Sequence, residues 1–179
     1  MEEGFAMRAF VAQVGALDRA WLQRIAARRT PPWLDRGFRS ITHLGGAAAT
    51  IALGALLLIP DAARRLGIVA LTANVLSHLA VQLVKRSVLR ERPGLADDGP
   101  VPLARIPDAY SFPSGHSAAA MAMALPFLIV GGPLGLIAVG VALAVGASRV
   151  YLRVHYVTDV IAGQLLGAAG VVVAMRLVS

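Results

Sequence analysis

Long apolar runs separated by short polar segments predict a bundle of helices that lies in a membrane. Ile41–Pro60 and Gly67–Val84 are each about as long as the 20 residues that a membrane helix needs. The interval between His116 and Arg149 has no charged residue and is too long for one span. Gly131-Gly132-Pro133 indicates a break near its middle. With a final run over Val157–Met175, the pattern predicts five transmembrane helices in an all-α, polytopic bundle.

The first 40 residues follow a different pattern. Apolar side chains recur at helical spacing: Phe10, Val14, Leu17, Trp21 and Ile25. Four arginines lie off that stripe: Arg19, Arg24, Arg28 and Arg29. We interpret residues 1–40 as an amphipathic interfacial segment that ends near Pro31-Pro32, and residues 41–179 as the transmembrane bundle. A helix that packs against the bundle explains the same stripe equally well.

Composition supports a membrane protein and narrows the chemistry. The chain is 57% hydrophobic, with a mean hydropathy of +0.68. It contains no cysteine, which excludes disulfides, thiolate-bound zinc and thiol catalysis. The net charge of +7 comes from bases that flank apolar runs, so it favours anionic headgroups or phosphate over nucleic acid as a partner. Glu2 and Glu3 argue against a secretory signal peptide at the N-terminus.

Polar residues cluster where the spans end. If the spans alternate in direction, the second and fourth end, and the third and fifth begin, on one side of the membrane, which we call the active face. The polar residues predicted on the active face are Lys85, Arg86, Arg90, Arg92, Ser114, Gly115, His116, Ser148, Arg149, His155 and Asp159. The N-terminus lies on the same face, and the C-terminus lies on the other.

These residue types suit phosphate chemistry. Ser114-Gly115-His116 begins a predicted helix, where free N–H groups and the helix dipole bind anions. Lys85, Arg92 and Arg149 add three positive charges, which phosphoryl transfer uses to stabilise its equatorial oxygens. Each feature alone has a simpler explanation, because a Pro-Ser-Gly-His run often starts a helix and bases at span ends often anchor headgroups. Their convergence on one face favours a functional site.

Two histidines complete the set. His155 and Asp159 are four residues apart and share a helix face, so the carboxylate can fix the imidazole tautomer. His155 is therefore a candidate nucleophile or base, and His116 on another helix is the complementary acid. A local hydrogen-bonded pair is the ordinary alternative for His155 and Asp159.

Three sequence segments together resemble a known signature. They are Lys85-x6-Arg92-Pro93, Pro113-Ser114-Gly115-His116 and Ser148-Arg149-x5-His155-x3-Asp159. In this order they resemble the signature of the type 2 phosphatidic acid phosphatase family, whose superfamily includes vanadium haloperoxidases and glucose-6-phosphatase. Many members have six spans, whereas this chain has five by our count and an N-terminal amphipathic helix.

The resemblance implies an integral membrane phosphatase that cleaves a lipid phosphomonoester or diphosphate without a metal or other cofactor. His155 would form a phosphohistidine, Asp159 would orient it, and His116 would protonate the leaving alcohol. The implied phosphate-binding residues are Lys85, Arg92, Ser114, Gly115 and Arg149. No carboxylate cluster suited to Mg²⁺ is visible in the sequence, and we interpret Asp97 and Asp98 as solvated.

Two further patterns fall outside the signature. Asn74, His78 and Gln82 recur every four residues along the second span, which predicts either hydrogen bonds between helices or a polar wall below the active site. Gly163 and Gly167 form a pair of small residues on the last span, which predicts close helix packing within the bundle rather than a dimer contact.

The orientation and the substrate follow less directly from the sequence. All Lys and Arg residues except Arg64, Arg65 and Arg176 fall on the active face, and the positive-inside rule puts that face in the cytoplasm. Many bacterial members of the family face outward instead. Phosphatidic acid, phosphatidylglycerol phosphate and polyprenyl phosphates or diphosphates all remain open as substrates. A small transporter and a non-catalytic scaffold are the alternatives to an enzyme, and the oligomeric state stays open.

Overall fold

The computed structural model describes residues 2–28, 30–96, 99–106 and 108–178, with side-chain burial described from residue 9 onward. Arg29, Asp97 and Asp98, which the sequence analysis mentions, lie outside the described residues. Within the described ranges the chain forms seven α-helices and no strand. The helices are α1 (Glu2–Ala26), α2 (Pro32–Ile41), α3 (Ala47–Leu57), α4 (Asp61–Val88), α5 (Gly115–Val130), α6 (Pro133–Tyr151) and α7 (Val157–Leu177). The prediction of an all-α membrane bundle is confirmed.

The outer surface of the bundle is apolar, whereas many of its buried side chains are polar. Leu53, Leu79, Leu136 and Leu165 are among the exposed residues. The buried polar residues include Thr50, Asn74, Ser77, Lys85, Arg92, Ser117, Arg149, His155 and Asp159. Polar groups inside a membrane protein turn away from lipid, so this distribution is that of a multi-pass membrane protein.

Helix α5 lies at the centre of the bundle, in contact with α3, α4, α6 and α7. Its packing against α7 depends on the two glycines singled out in the sequence. A Cβ at Gly163 would lie 2.3 Å from the carbonyl oxygen of Ser114, and one at Gly167 would lie 2.4 Å from that of Ala118. The prediction that this pair packs within the bundle is confirmed.

Helices α5 and α6 form the predicted hairpin. Helix α5 ends at Val130, and α6 begins at Pro133. Gly131 and Gly132 connect them with φ angles of 95° and 87°, which favour glycine. With 16 residues, α5 is only about 24 Å long at 1.5 Å per residue.

The first apolar run is not the continuous helix that its hydropathy suggests. A 3₁₀ turn over Thr42–Gly45 and the extended Gly46 separate α2 from α3, which meet at an angle of 54°. Gly45 packs closely on the active-face end of the bundle, because a Cβ there would lie 2.7 Å from the carbonyl oxygen of His116. In the described chain, α4, α6 and α7 are long and apolar enough to cross a membrane, and the bent pair gives a fourth candidate. The count of five spans stays a prediction.

The N-terminal helix α1 packs on the bundle with one face. Leu22 is buried in a cluster with Val150, Tyr156 and Val160. Phe10, Leu17 and Trp21, which flank the docked face, remain exposed. The helix therefore combines a docked face with an apolar exposed face, and its location at the membrane interface stays a prediction.

Candidate active site

A cavity of about 390 Å³ lies where α4, α5 and α6 meet the loop before α7. Six of the eight predicted site residues line it: Lys85, Arg92, Gly115, His116, Arg149 and His155. They come from three separate sequence segments and converge because each stands at a helix end on the active face. Asp159 lies behind His155 and is fully buried. Ser114 is the one remaining predicted residue that does not line the cavity.

The geometry around His155 defines its tautomer. His155 lies in the short loop between α6 and α7, and its Nε2 is 2.9 Å from Nη1 of Arg92. Because an arginine stays protonated and only donates, Nε2 must accept this hydrogen bond. The ring proton is then on Nδ1, which is 3.4 Å from Oδ2 of Asp159, longer than an ordinary hydrogen bond.

The charge state of His155 follows from its surroundings. Burial and then the positive charges of Arg92, Arg149 and Lys85 hold the pKa of His155 well below its usual value. The imidazole is therefore neutral at neutral pH, and its lone pair is on Nε2.

Asp159 is held mainly by Tyr156 and Arg90, and the side chain of Ser111 also interacts with it. It is the third residue of α7, and its Oδ2 accepts a 2.8 Å hydrogen bond from the backbone N–H of Tyr156. Its Oδ1 accepts a 2.8 Å hydrogen bond from Nη1 of Arg90. A backbone bond also ties this turn to α5, because the N–H of Ser114 donates to the carbonyl of Asp159 at 2.9 Å.

Two of the predicted phosphate-binding cations are paired with a carboxylate that the sequence analysis missed. Nζ of Lys85 is 2.8 Å and 3.0 Å from the two carboxylate oxygens of Asp108, and Nη2 of Arg92 is 2.9 Å from one of them. Burial alone would raise the pKa of Asp108, but the hydrogen bonds and charges of Lys85 and Arg92 outweigh it and lower that pKa. Asp108 is thus an ionised anion on the anion-binding side of the cavity.

Arg149 is the third cation, and one of its N–H donors has no hydrogen-bond partner among the described residues. Its Nη1 donates to Oγ1 of Thr42 in the 3₁₀ turn at 2.7 Å. Its Nε is buried without a hydrogen-bond partner among the described residues. A buried donor that lacks a partner is costly, and an anion in the cavity would supply one.

Of the residues at the start of α5, Ser114 caps the helix, whereas Gly115 and His116 line the cavity. The hydroxyl of Ser114 accepts from the N–H and the hydroxyl of Ser117, at 3.4 Å and 2.9 Å, and so caps the helix. Gly115 and His116 follow in the first turn and line the cavity. The phosphate-binding role predicted for Ser114 stays a prediction.

The polar stripe of α4 extends the cavity away from the cations. Asn74, His78 and Gln82 all line it, and Nδ2 of Asn74 also donates to Oγ1 of Thr50 on α3 at 3.2 Å. Both sequence interpretations therefore hold for Asn74. Ile51 and Leu79 line the same cavity and are exposed on the outer surface, so the cavity reaches that surface between α3 and α4.

Sequence reasoning assigned no role to Asp108, Thr42, Arg90 or Asp18. Each is a single polar residue without a local motif, and its partner lies far along the chain. In the part of the chain that the structure describes, no group of three or more His, Asp or Glu side chains is arranged to hold a metal ion.

Comparison with known proteins gives one consistent result. A family model described as the PAP2 superfamily matches residues 62–179. The chain is 35% identical over 171 residues to phosphatidylglycerophosphatase B of Bacillus subtilis, covering 86% of this chain and 79% of that protein. It is 33% identical over 141 residues to decaprenylphosphoryl-5-phosphoribose phosphatase of Mycolicibacterium smegmatis, covering 77% and 76%. The chain belongs to the PAP2 superfamily.

A solved structure supports the same assignment of fold. The crystal structure of a transmembrane PAP2-type phosphatidylglycerolphosphate phosphatase from Bacillus subtilis matches with a TM-score of 0.75 and 30% identity, covering 92% of this chain and 86% of that one. The family resemblance read from the three segments is confirmed. So is the prediction that this PAP2 protein is a phosphatase of the membrane.

Proposed function

We propose that this protein hydrolyses a lipid phosphomonoester through a phosphohistidine on His155, without a metal. The observation that carries the proposal is the contact between Nε2 of His155 and the guanidinium of Arg92. It puts a neutral imidazole, with its lone pair on Nε2, beside a phosphate-binding group. The nucleophile and its electrostatic support therefore meet in one cavity.

The first half-reaction forms the covalent intermediate. Lys85, Arg92, Arg149 and the N–H groups at the start of α5 bind the phosphoryl oxygens and stabilise their charge. When a phosphoryl oxygen takes over the hydrogen bond from Nη1 of Arg92, the lone pair on Nε2 becomes free. It attacks phosphorus, and the bond from phosphorus to the lipid oxygen breaks. His116 enters this step protonated and donates its proton to that oxygen, which leaves as an alcohol. Asp159 stabilises the positive ring through the proton on Nδ1.

The second half-reaction restores the enzyme. A water molecule attacks phosphorus, and neutral His116 accepts the proton that the water loses. The bond between phosphorus and Nε2 breaks, phosphate leaves, and His155 is neutral again. Each histidine ends in the protonation state in which it began.

Two features support a lipid as the substrate. The cavity opens to the apolar outer surface between α3 and α4, where a lipid chain can stay in the bilayer while its phosphate enters. The relatives are named for phosphatidylglycerol phosphate and for a phosphorylated polyprenyl sugar. We therefore infer a glycerophospholipid phosphate or a polyprenyl-linked phosphate as the substrate.

The test is phosphate release by the purified protein in mild detergent with EDTA present. The panel contains phosphatidic acid, phosphatidylglycerol phosphate, and polyprenyl mono- and diphosphate. We expect EDTA-resistant release from at least one lipid and none in His155→Ala. Labelled phosphate should also remain on the wild-type protein after an alkaline quench, under which phosphohistidine is stable. Release that persists in His155→Ala would refute the proposed nucleophile.

We also propose that the active face is cytoplasmic, from the distribution of Lys and Arg. Because the chain has no cysteine, single cysteines can report the orientation. Val101 is 75% exposed beside the active face, and Val130 is 76% exposed at the opposite end of α5. An impermeant maleimide on intact cells should label Val130→Cys but not Val101→Cys. The reverse pattern would put the active face outside.

A further inference from the structure

The N-terminal helix reaches the candidate active site through a buried carboxylate. Asp18 of α1 is only 3% exposed, and carboxylates are rarely buried unless they are paired. Its Oδ2 accepts a 2.8 Å hydrogen bond from Nη2 of Arg90, and its Oδ1 accepts a 3.2 Å hydrogen bond from the backbone N–H of Thr158. The hydroxyl of Thr158 donates to the same carboxylate. Asp18 thus binds both Arg90 and the first turn of α7.

Arg90 holds two carboxylates at once. While Nη2 donates to Asp18, Nη1 donates to Oδ1 of Asp159 at 2.8 Å and to Oγ1 of Thr158 at 2.7 Å. The guanidinium also lies over the ring of Tyr156, with 4.1 Å between its carbon and the ring centroid. The rigid fork of a guanidinium fixes such a bridge in a way that a lysine could not. Asp18, Arg90 and Asp159 form what we call the ionic cluster.

We propose that Asp18 and Arg90 are positioning residues, which hold Asp159, and through it the ring of His155, in the geometry for attack. This inference rests on the function proposed above, since it concerns the same reaction. Neither residue belongs to the three signature segments as a fixed position, and Asp18 lies 72 residues before Arg90. Helix α1 then contributes to the geometry of the active site through Asp18.

The proposal follows from what Asp159 must do. Its Oδ2 accepts a hydrogen bond from the N–H of Tyr156 and faces Nδ1 of His155. The rotation of the Asp159 carboxylate therefore sets its contact with the imidazole. Arg90 fixes that rotation by binding Oδ1. Asp18 in turn fixes Arg90, and the packing of Leu22 against Tyr156 and Val160 holds α1 at the required distance.

The ionic cluster also changes the electrostatic field at His155. The charged and titratable groups around His155 are Arg92, Arg149, Lys85, Asp108, His116 and Asp159. Removing the negative charge of Asp18 leaves Arg90 less compensated, which disfavours protonation of His155. Removing the positive charge of Arg90 favours that protonation. Because His155 must be unprotonated to attack, the two changes move the acidic limb of the pH profile in opposite directions.

The test compares Asp18→Asn, Arg90→Gln, the double variant and Arg90→Lys with wild type. Asp61→Asn is the matched control, because Asp61 forms an exposed ion pair with Arg64 at the start of α4. We expect kcat to fall about 10- to 100-fold in each single variant, with KM unchanged. The acidic limb should move to lower pH in Asp18→Asn and to higher pH in Arg90→Gln. In the double variant it should return towards the wild-type position, and Asp61→Asn should match wild type.

Arg90→Lys keeps the charge but loses the bridge, so it serves if Arg90→Gln does not fold. Arg90→Lys should lower kcat, and the acidic limb of its pH profile should lie at the same pH as in wild type. Folded Asp18→Asn and Arg90→Lys with wild-type kcat would overturn the proposal. A lower kcat in Asp18→Asn and Arg90→Gln without any shift of the acidic limb of the pH profile would also overturn it, because that result indicates a structural role alone. A wild type without activity would instead refute the function proposed above.

Discussion

Asp108 and Asp159 both accept hydrogen bonds from an arginine beside the same cavity, but their surroundings differ. The side chain of Asp108 is 45% exposed on the loop before α5, and its partners are the cations proposed to bind phosphate. Asp159 is fully buried on α7 and is held by Arg90 and a backbone N–H. We expect a substrate phosphate to displace the first carboxylate, whereas the second is buried away from the cavity. One side of the site is thus exchangeable, and the other is fixed.

The difference follows from the cost of burying charge. The carboxylate of Asp108 is half-exposed, so water and salt weaken its ion pairs even though the side chains of Lys85 and Arg92 are only 10% and 1% exposed. A buried carboxylate has no such substitute, so removal of a partner leaves an uncompensated charge. We therefore expect changes on the Asp159 side to lower kcat or stability strongly, and changes on the Asp108 side to alter substrate affinity.

The largest effect is expected for Asp159→Asn. Asparagine keeps the shape of the side chain but cannot stabilise a positive imidazole through its Nδ1 proton. The corresponding change in a serine protease triad lowers kcat roughly 10⁴-fold, and we expect a loss on the order of 10³- to 10⁴-fold here. KM should stay near the wild-type value. Steady-state kinetics on the best lipid substrate would measure both, and a loss confined to KM would contradict the assignment of Asp159 to the fixed side.

The next largest effect is expected on stability, from a change in the packing of α7 against α5. Gly163 packs against the carbonyl oxygen of Ser114, and a Cβ added to Gly163 would lie only 2.3 Å from that oxygen. Gly163→Ala must push α7 from α5, and we expect it to cost about 1–3 kcal/mol of stability. The control is Gly140→Ala on α6, where nothing lies within 4 Å of the added atom. Thermal unfolding in detergent should show a lower Tm for Gly163→Ala only, and equal values would contradict the close packing.

The contrast between the two aspartates also explains what the sequence could predict. The signature residues stand at helix ends, and alternating spans bring such ends to one face, so His116, Arg149 and His155 could be grouped without coordinates. The hairpin after Val130 was equally accessible, because Gly131 and Gly132 precede a proline. These features depend on local pattern and on span direction alone.

Other features depend on contacts between distant segments. Asp18 looked like one more polar residue on an amphipathic helix, and nothing near it in the chain points to Arg90. Asp108 lies in a loop without periodicity. The run from Ile41 to Pro60 has a high mean hydropathy and no charged residue apart from His43, so hydropathy alone does not show the break at Gly45-Gly46, where Gly45 packs closely on α5.

A smaller effect is expected for Asp108→Asn, and it has the opposite sign. The variant removes an anion that competes with phosphate for Lys85 and Arg92. We expect tighter binding of substrate and of vanadate, by about three- to tenfold, with kcat little changed. Inhibition by vanadate measures this without the complication of lipid micelles. Weaker vanadate binding would mean that Asp108 orders the cations for phosphate rather than competing with it.

The smallest effect concerns the pH dependence of stability. The pKa of Asp108 is lowered in the folded protein, because the hydrogen bonds and charges of Lys85 and Arg92 outweigh the opposing effect of burial. Its ion pairs therefore stabilise the fold above the unfolded pKa of about 3.9, and this contribution is lost as pH falls through the lower folded pKa. The Tm of wild type should exceed that of Asp108→Asn by a small, constant amount from about pH 5 to about pH 8. The difference should narrow only below about pH 4, and it should shrink at high salt because the pair is half-exposed. A difference that varies through the neutral range would assign the effect to another titrating group, and one that resists salt would mean that Asp108 is as fixed as Asp159.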